Sequence, residues 1–223
     1  HEHEIENNIF DFEFTPNRGD CLSLMGLARD LNIFYETNLK PESFDQEIPN
    51  LEFSFTNKET VLCPKISFLH IEIDGKIGKY RNYLNEYFED LGLQKVNFFT
   101  DVSNFLSYEL GQPTHCYDYT KISQELTLEK TTESVEFCPL IGNKIILDKS
   151  ELVFKVDKKI INLAGVMGSS NSGCVNGTKS VIVECAYFNP EAILGKALKY
   201  NFASDAAHKF ERGVDPDSHE RVL

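Results

Sequence analysis

Tryptophan is absent from this chain and methionine occurs only twice. Basic residues are scarce: 22 Lys and Arg stand against 35 Asp and Glu, for a net charge of −13. That balance excludes a broad nucleic-acid platform, because phosphate binding rests on clustered Lys and Arg. Any contact with RNA is expected to be small, or shared with another domain. No run of roughly 18 apolar residues occurs, so no membrane span is expected. His1-Glu2-His3-Glu4 is not the start of a signal peptide. The first residue is not Met, and the chain is expected to be part of a longer protein.

The six cysteines, Cys21, Cys63, Cys116, Cys138, Cys174 and Cys185, form no C-x-x-C pair. In a chain of 223 residues, that scatter fits reduced thiols in a cytoplasmic protein better than a disulfide framework. The dinucleotide glycine fingerprint and the P-loop are missing. So is the Gly-x-Ser-x-Gly elbow, and no Ser/His/Asp order stands out, so a covalent nucleophile is not supported.

What is present is 41% hydrophobic residues, including 17 Phe and nine Tyr, which implies a Phe-rich core. The length suits one large domain or two small fused ones. Residues 1–14 alternate acidic and apolar side chains and suggest an entering strand. Asp20, after the turn at Thr15–Gly19, is a plausible N-cap for a helix carrying Leu22, Met25, Leu31 and Phe34 and ending around Tyr35–Asn38. Residues 39–60 look like a long connection. Ile66–Ile73 reads as a strand, and Tyr80–Leu91 as an amphipathic helix with Gly92 at its end. A short strand is expected at Val96–Phe99, then a helix from Asp101 to Leu110, closed by Gly111.

From Leu126 the hydrophobic period shifts towards two. Strands are expected at Leu126–Glu129, Val135–Phe137, Ile145–Leu147, Leu152–Val156 and Ile160–Leu163. A helical region from Pro190 to about Asn201 follows, and a second short helix runs from Ser204 to Gly213. There is no internal repeat or low-complexity linker. The expected class is α+β: a mostly antiparallel or mixed sheet system with surrounding helices, in a single unit over 1–223 or two intertwined subdomains.

The stretch around which the rest is organised is Ala164-Gly165-Val166-Met167-Gly168, followed by Val181-Ile182-Val183-Glu184-Cys185-Ala186. It carries one carboxylate, Glu184, into a strand that should be dry. A charge there is costly unless something pairs with it. Gly165 and Gly168 would let a backbone approach a ligand closely, or are simply turn residues. In Gln112-Pro113-Thr114-His115-Cys116, Pro113 stiffens the loop and His115 could face a cavity, though a lone loop histidine is more often just solvated. His115-Cys116 lacks further ligands at short spacing, so no metal is expected. Asp101 or Ser103 would cap the helix that follows. Arg18-Gly19-Asp20 is a chance match at a helix start, and the glycosylation sequon Asn176-Gly177-Thr178 is irrelevant in a reduced compartment.

Four stretches together resemble the central editing domain of the beta subunit of bacterial phenylalanyl-tRNA synthetase. They are Phe14-Thr15-Pro16-Asn17-Arg18-Gly19-Asp20-Cys21-Leu22-Ser23; Asp101-Val102-Ser103-Asn104-Phe105 through Glu109-Leu110-Gly111-Gln112-Pro113-Thr114-His115; Ala164–Gly168 with Glu184-Cys185-Ala186; and Ser204-Asp205-Ala206-Ala207-His208-Lys209-Phe210-Glu211-Arg212-Gly213-Val214-Asp215-Pro216. Their order and spacing agree over nearly the whole chain.

The resemblance implies part of a two-subunit ligase that lacks the aminoacylation site. Its partners would be the alpha subunit, other beta-subunit domains and the 3′ end of tRNA(Phe) carrying tyrosine. No cofactor is implied here; ATP and Mg would serve the full synthetase. The implied activity is hydrolysis of tyrosine wrongly attached to tRNA(Phe), by positioned water. By position, Glu184 would accept the tyrosine hydroxyl, aided by the Gly165 backbone. Ala164, Gly168 and Ala206 would shape the ring pocket beside Pro113. His115 and Asn104 would act at the ester end, with polar contacts from Ser103, Asn104 and Ser204. The family commonly has Thr where Ser103 and Ser204 stand, and Gln94–Thr100 departs from its usual pattern. A non-catalytic tRNA-docking module is the alternative; a free-standing deacylase or peptide-binding relative is a weaker third.

Overall fold

The computed structural model describes residues 5–6, 9–36, 47–122 and 125–223. The chain opens with β1 (Ile5–Glu6) and β2 (Ile9–Phe10), which pair antiparallel, so the expected single entering strand is a small hairpin. A 3₁₀ turn at Gly19–Cys21 precedes α1 (Leu24–Tyr35). Ser23, not Asp20, caps α1: its Oγ accepts from the Gly26 amide at 3.0 Å. Asp20 is drawn away by Arg18 and Arg29. Gly26 is obligatory there, since a Cβ would fall 1.8 Å from the Asp20 carbonyl oxygen.

β3 (Phe55–Asn57), β4 (Lys65–Glu72) and α2 (Asn82–Asp90) follow. β3 lies inside the stretch expected to be connection only. α3 (Phe98–Leu110) begins earlier than the sequence suggested. The strand expected at Val96–Phe99 is the entry and first turn of this helix. Asn97 is its cap, accepting from the Thr100 amide at 3.1 Å, so neither Asp101 nor Ser103 serves. Instead Asp101 is buried and accepts from Tyr80 Oη at 2.6 Å and from the Val96 amide at 2.8 Å. Gly111 ends the helix with φ +81°, a left-handed value that favours glycine.

The chain then runs through β5 (Thr114–Asp118), β6 (Leu126–Lys130), β7 (Val135–Phe137), β8 (Ile145–Leu147), β9 (Leu152–Val156), β10 (Lys159–Leu163), β11 (Met167–Gly168) and β12 (Ser180–Tyr187). The helical region after Pro190 is two short helices, α4 (Pro190–Ile193) and α5 (Lys196–Lys199), separated by Gly195 at φ +74°. α6 (Asp205–Arg212) is capped by Ser204, and α7 (His219–Val222) closes the chain.

β11-β10-β9-β6-β3 form a five-stranded sheet, β4-β12-β5 a three-stranded one, and β7-β8 a ribbon. Every pairing is antiparallel except β3 with β6. The class is α+β, as the sequence predicts. The three-stranded sheet buries both faces. Alternate residues of β12 point to the main core (Ile182, Ala186) or to a smaller cluster with Phe99, Cys116 and Cys174 (Val181). The main core is Phe-rich, with edge-on rings running Tyr117, Phe154, Phe188 and Phe210 at centroid spacings of 6.3, 6.5 and 5.0 Å. All six cysteines are free thiols. Among the described residues no helix is long and apolar enough to cross a membrane.

Candidate functional site

β12 is the central strand of the small sheet, and its register opposes Glu184 to His115 of β5. Strand alternation puts His115 and Tyr117 on one face of β5, the face that Glu184 shares. These side chains meet the turn from Gly165 to Gly168 and the start of α6. The result is a hollow of about 60 Å³. Pro113, His115, Asn162, Gly165, Gly168, Glu184, Ala206 and Phe210 are among its walls.

Glu184 is 5% exposed. Its Oε2 accepts from Tyr117 Oη at 2.9 Å, and Tyr117 Oη in turn accepts from Asn162 Nδ2 at 2.8 Å. Burial pushes the Glu184 carboxyl up to about 7, and the hydrogen bond from Tyr117 pulls it back. Burial also drives the Tyr117 phenol well above its ordinary range, with the Glu184 charge adding to the effect. His115 is pushed down to about 4 by burial, so its imidazole is neutral near pH 7. Its ring meets Tyr117 edge-on at 4.4 Å. Nε2 is buried and has no hydrogen-bond partner among the described residues. A neutral ring nitrogen without a partner at the wall of a hollow is suited to holding a water or a substrate polar atom.

The two glycines do different work. Gly168 makes room for His115, because a Cβ there would sit 2.4 Å from the ring Cε1. Gly165 takes φ +68°, and a Cβ on it would strike Ile193, Phe188 and Phe210 at 2.8, 3.1 and 3.2 Å. The turn therefore packs its backbone directly on the core while its other side walls the hollow.

Of the residues singled out from sequence, the fold brings Glu184, His115, Gly165, Gly168, Pro113 and Ala206 together. It places four elsewhere. Ala164 is 1% exposed within the main core and does not line the hollow. Ser103 spends its hydroxyl on Thr114, 2.9 Å from the carbonyl oxygen and 2.7 Å from Oγ1, tying α3 to β5. Ser204 accepts from the Ala207 amide at 3.1 Å and donates to the Val166 carbonyl at 2.7 Å, tying α6 to the glycine turn. Asn104 is exposed on α3 and is not a wall of the hollow. Sequence reading missed Tyr117 and Asn162. Both carried a signal. Tyr117 is two residues from His115 on one strand, and Asn162 is a polar residue inside the apolar run Ile160–Leu163.

Among the described residues one group has metal-ligand spacing: Asp20, Cys21 and Asp30. Its carboxylates already bind Arg18 and Arg29.

Residues 63–223 match the family model described as the B3/4 domain. Over 225 residues the chain is 32% identical to a phenylalanine–tRNA ligase beta subunit of Francisella tularensis, covering 98% of this chain and 28% of that protein. Beta subunits of the same name from Syntrophotalea carbinolica and Legionella pneumophila are 34% and 31% identical, over 92% and 98% of the chain. The chain spans 26–28% of the length of these relatives.

Proposed function

The chain belongs to the B3/4 domain family in the form found in phenylalanine–tRNA ligase beta subunits, and on that premise we propose that it is an editing domain that hydrolyses tyrosine from misacylated tRNA(Phe). The observation that carries this reading is Glu184: a buried acid at the wall of a hollow, directly across β-strand register from a histidine whose Nε2 has no partner.

The chemistry explains why such a site is needed. An apolar pocket rejects an analogue bearing one extra hydroxyl only about 10²-fold. A site built to hydrogen-bond that hydroxyl discriminates by roughly 10⁴–10⁵, because the analogue without it leaves a buried polar group unpaired. Here the phenol of tyrosine donates to Glu184. The small side chain of Ala206 leaves room for the ring, and the backbone from Gly165 to Gly168 walls it. Neutral His115 holds water at the ester end through Nε2. Water attacks the carbonyl carbon, the ester bond to the terminal ribose breaks, and the ribose oxygen takes the proton. Ser103 and Ser204 act through Thr114 and Val166, which they hold in place. Asn104 has no role within the hollow. No cofactor is needed for this step. ATP and Mg serve the ligase reaction elsewhere in the enzyme, and the partners are the alpha subunit, the remaining beta-subunit domains and the acceptor end of the tRNA, in the cytoplasm.

The size of the hollow favours a second reading. A cavity that binds benzene is about 150 Å³, so 60 Å³ must open, by movement of side chains such as Met167, before a tyrosine ring enters. A site that never opens would be a docking module with a vestigial cavity. The test is deacylation of Tyr-tRNA(Phe) by the whole ligase carrying Glu184→Ala or His115→Ala. An editing site predicts that Glu184→Ala abolishes preference for tyrosine over phenylalanine and that His115→Ala slows both. Unchanged clearance of Tyr-tRNA by both variants would sink the proposal and favour docking.

A further inference from the structure

The ring of Tyr117 packs edge-on against His115 and Phe154, a contact that phenylalanine would also supply. Its hydroxyl is the difference, and it lies in a one-way run of donors. Asn162 Nδ2 donates to Tyr117 Oη at 2.8 Å, and Tyr117 Oη donates to Glu184 Oε2 at 2.9 Å. All three side chains are buried: Tyr117 is 0% exposed, Asn162 4% and Glu184 5%. An ionised carboxylate has about four acceptor positions, of which Tyr117 takes one. A second phenol can therefore donate to the same group.

We propose that Tyr117, aimed by Asn162, is a positioning residue that favours the ionised form of Glu184 and keeps it turned to the hollow, so that the phenol of the substrate meets a carboxylate already fixed in place. This rests on the reading of Glu184 as the group that recognises tyrosine.

The surroundings leave this task to Tyr117. His115 and Tyr117 of β5 share the face of Glu184, and the other titratable groups near it are the thiols of Cys63 ahead of β4, Cys116 on the far face of β5 and Cys185 beside it on β12. His115 is neutral above about pH 4. Burial raises the three thiols, so they are neutral as well. Among the described residues no Lys or Arg forms an ion pair with Glu184, and the hydrogen bond from Tyr117 is what opposes burial. A hydrogen bond to a charge in such a place is worth more than one between neutral groups. Asn162 makes the phenol a better donor by bonding its oxygen.

The test uses the intact two-subunit ligase, as wild type, Tyr117→Phe, Asn162→Ala and Glu184→Ala. Hydrolysis of Tyr-tRNA(Phe) and Phe-tRNA(Phe) is followed from about pH 5 to pH 9, bracketing the titration of a raised carboxyl. Infrared carboxylate bands, taken as the difference from Glu184→Ala, give the same titration without turnover. Tyr117→Phe is expected to move the Glu184 midpoint up by about one unit or more and to cut the Tyr-over-Phe ratio near pH 7 roughly tenfold. Asn162→Ala should move both in the same direction by less. If Tyr117→Phe does not fold, as judged by its melting curve, Asn162→Ala carries the test. Midpoints that stay at the wild-type value in the folded variants overturn the proposal. If instead Glu184→Ala keeps its preference for tyrosine, the editing assignment of Glu184 fails, whatever the infrared midpoints show.

Discussion

The imidazole of His115 lies directly on the backbone of Gly168, so close that a Cβ at that position would come within 2.4 Å of Cε1 and 3.0 Å of Nε2. The glycine turn and the histidine strand are therefore one device. The absence of a side chain at residue 168 fixes where the ring stands, and the ring closes the side of the hollow.

Gly168→Ala should consequently displace His115. Overpacking of this kind costs about 1–3 kcal/mol. Denaturant unfolding should show that loss, and ester hydrolysis by the whole enzyme should fall towards the level of His115→Ala. Full stability together with full hydrolysis would show that the ring does not stand on this glycine.

The histidine also makes stability depend on pH. Its pKa is about 4 in the folded chain against an ordinary 6.5, so the unfolded state binds more protons between those values. Its contribution is complete above about pH 6.5 and is lost as the pH falls towards 4. The amount is at most roughly 3 kcal/mol. His115→Asn, which cannot titrate, should flatten the decline of stability across that window. The check is the urea midpoint of both proteins measured at a series of pH values.

Glu184 has the opposite sign. Its folded pKa near 7 lies above the ordinary 4.5, so the folded state holds the proton more tightly. The stability linked to that proton is present below about pH 4.5 and lost as pH rises through 7. Glu184→Gln should therefore be more stable to unfolding than wild type above pH 7, by up to roughly 3 kcal/mol, and match it near pH 4.5. It should at the same time lose preference for tyrosine. A variant that gained stability at high pH and kept that preference would separate the two properties and weaken the role given to the acid.

Ser204 joins the helix start to the glycine turn through two hydrogen bonds made by one hydroxyl. Ser204→Ala should cost about 1–2 kcal/mol, from the lost cap and the orphaned Val166 carbonyl. Ser204→Thr keeps the hydroxyl and should remain close to wild type. Thermal melts of the two variants decide this. Equal losses in both would mean that bulk, and not the hydroxyl, matters at this position.

The sequence alone determined the parts that depend on short-range pattern. Period-two runs marked β6, β7 and β8, which bury alternate residues, and short apolar runs marked β9 and β10, which are buried almost throughout. Ser204 and Gly213 marked α6, because its ends need a cap acceptor and a residue free of Cβ strain. Glu184 was legible as a charge in an apolar strand, and the resemblance of four separated stretches pointed to the family. Cap assignments were weaker. Asn97 won over Asp101 because Asp101 was taken up by the nearby Val96 amide and by Tyr80, 21 residues away in sequence.

Only the tertiary structure decided what the site contains. Register across β5 and β12 opposes His115 to Glu184, and no local pattern specifies that pairing. The same folding spent the hydroxyls of Ser103 and Ser204 on backbone partners, buried Ala164 in the core and left Asn104 outside. It also brought Tyr117 to the carboxylate within the small sheet, and Asn162 to Tyr117 from the five-stranded one. A buried polar group must find its partners wherever the packed chain supplies them, and that supply is set by three-dimensional proximity rather than by spacing along the sequence.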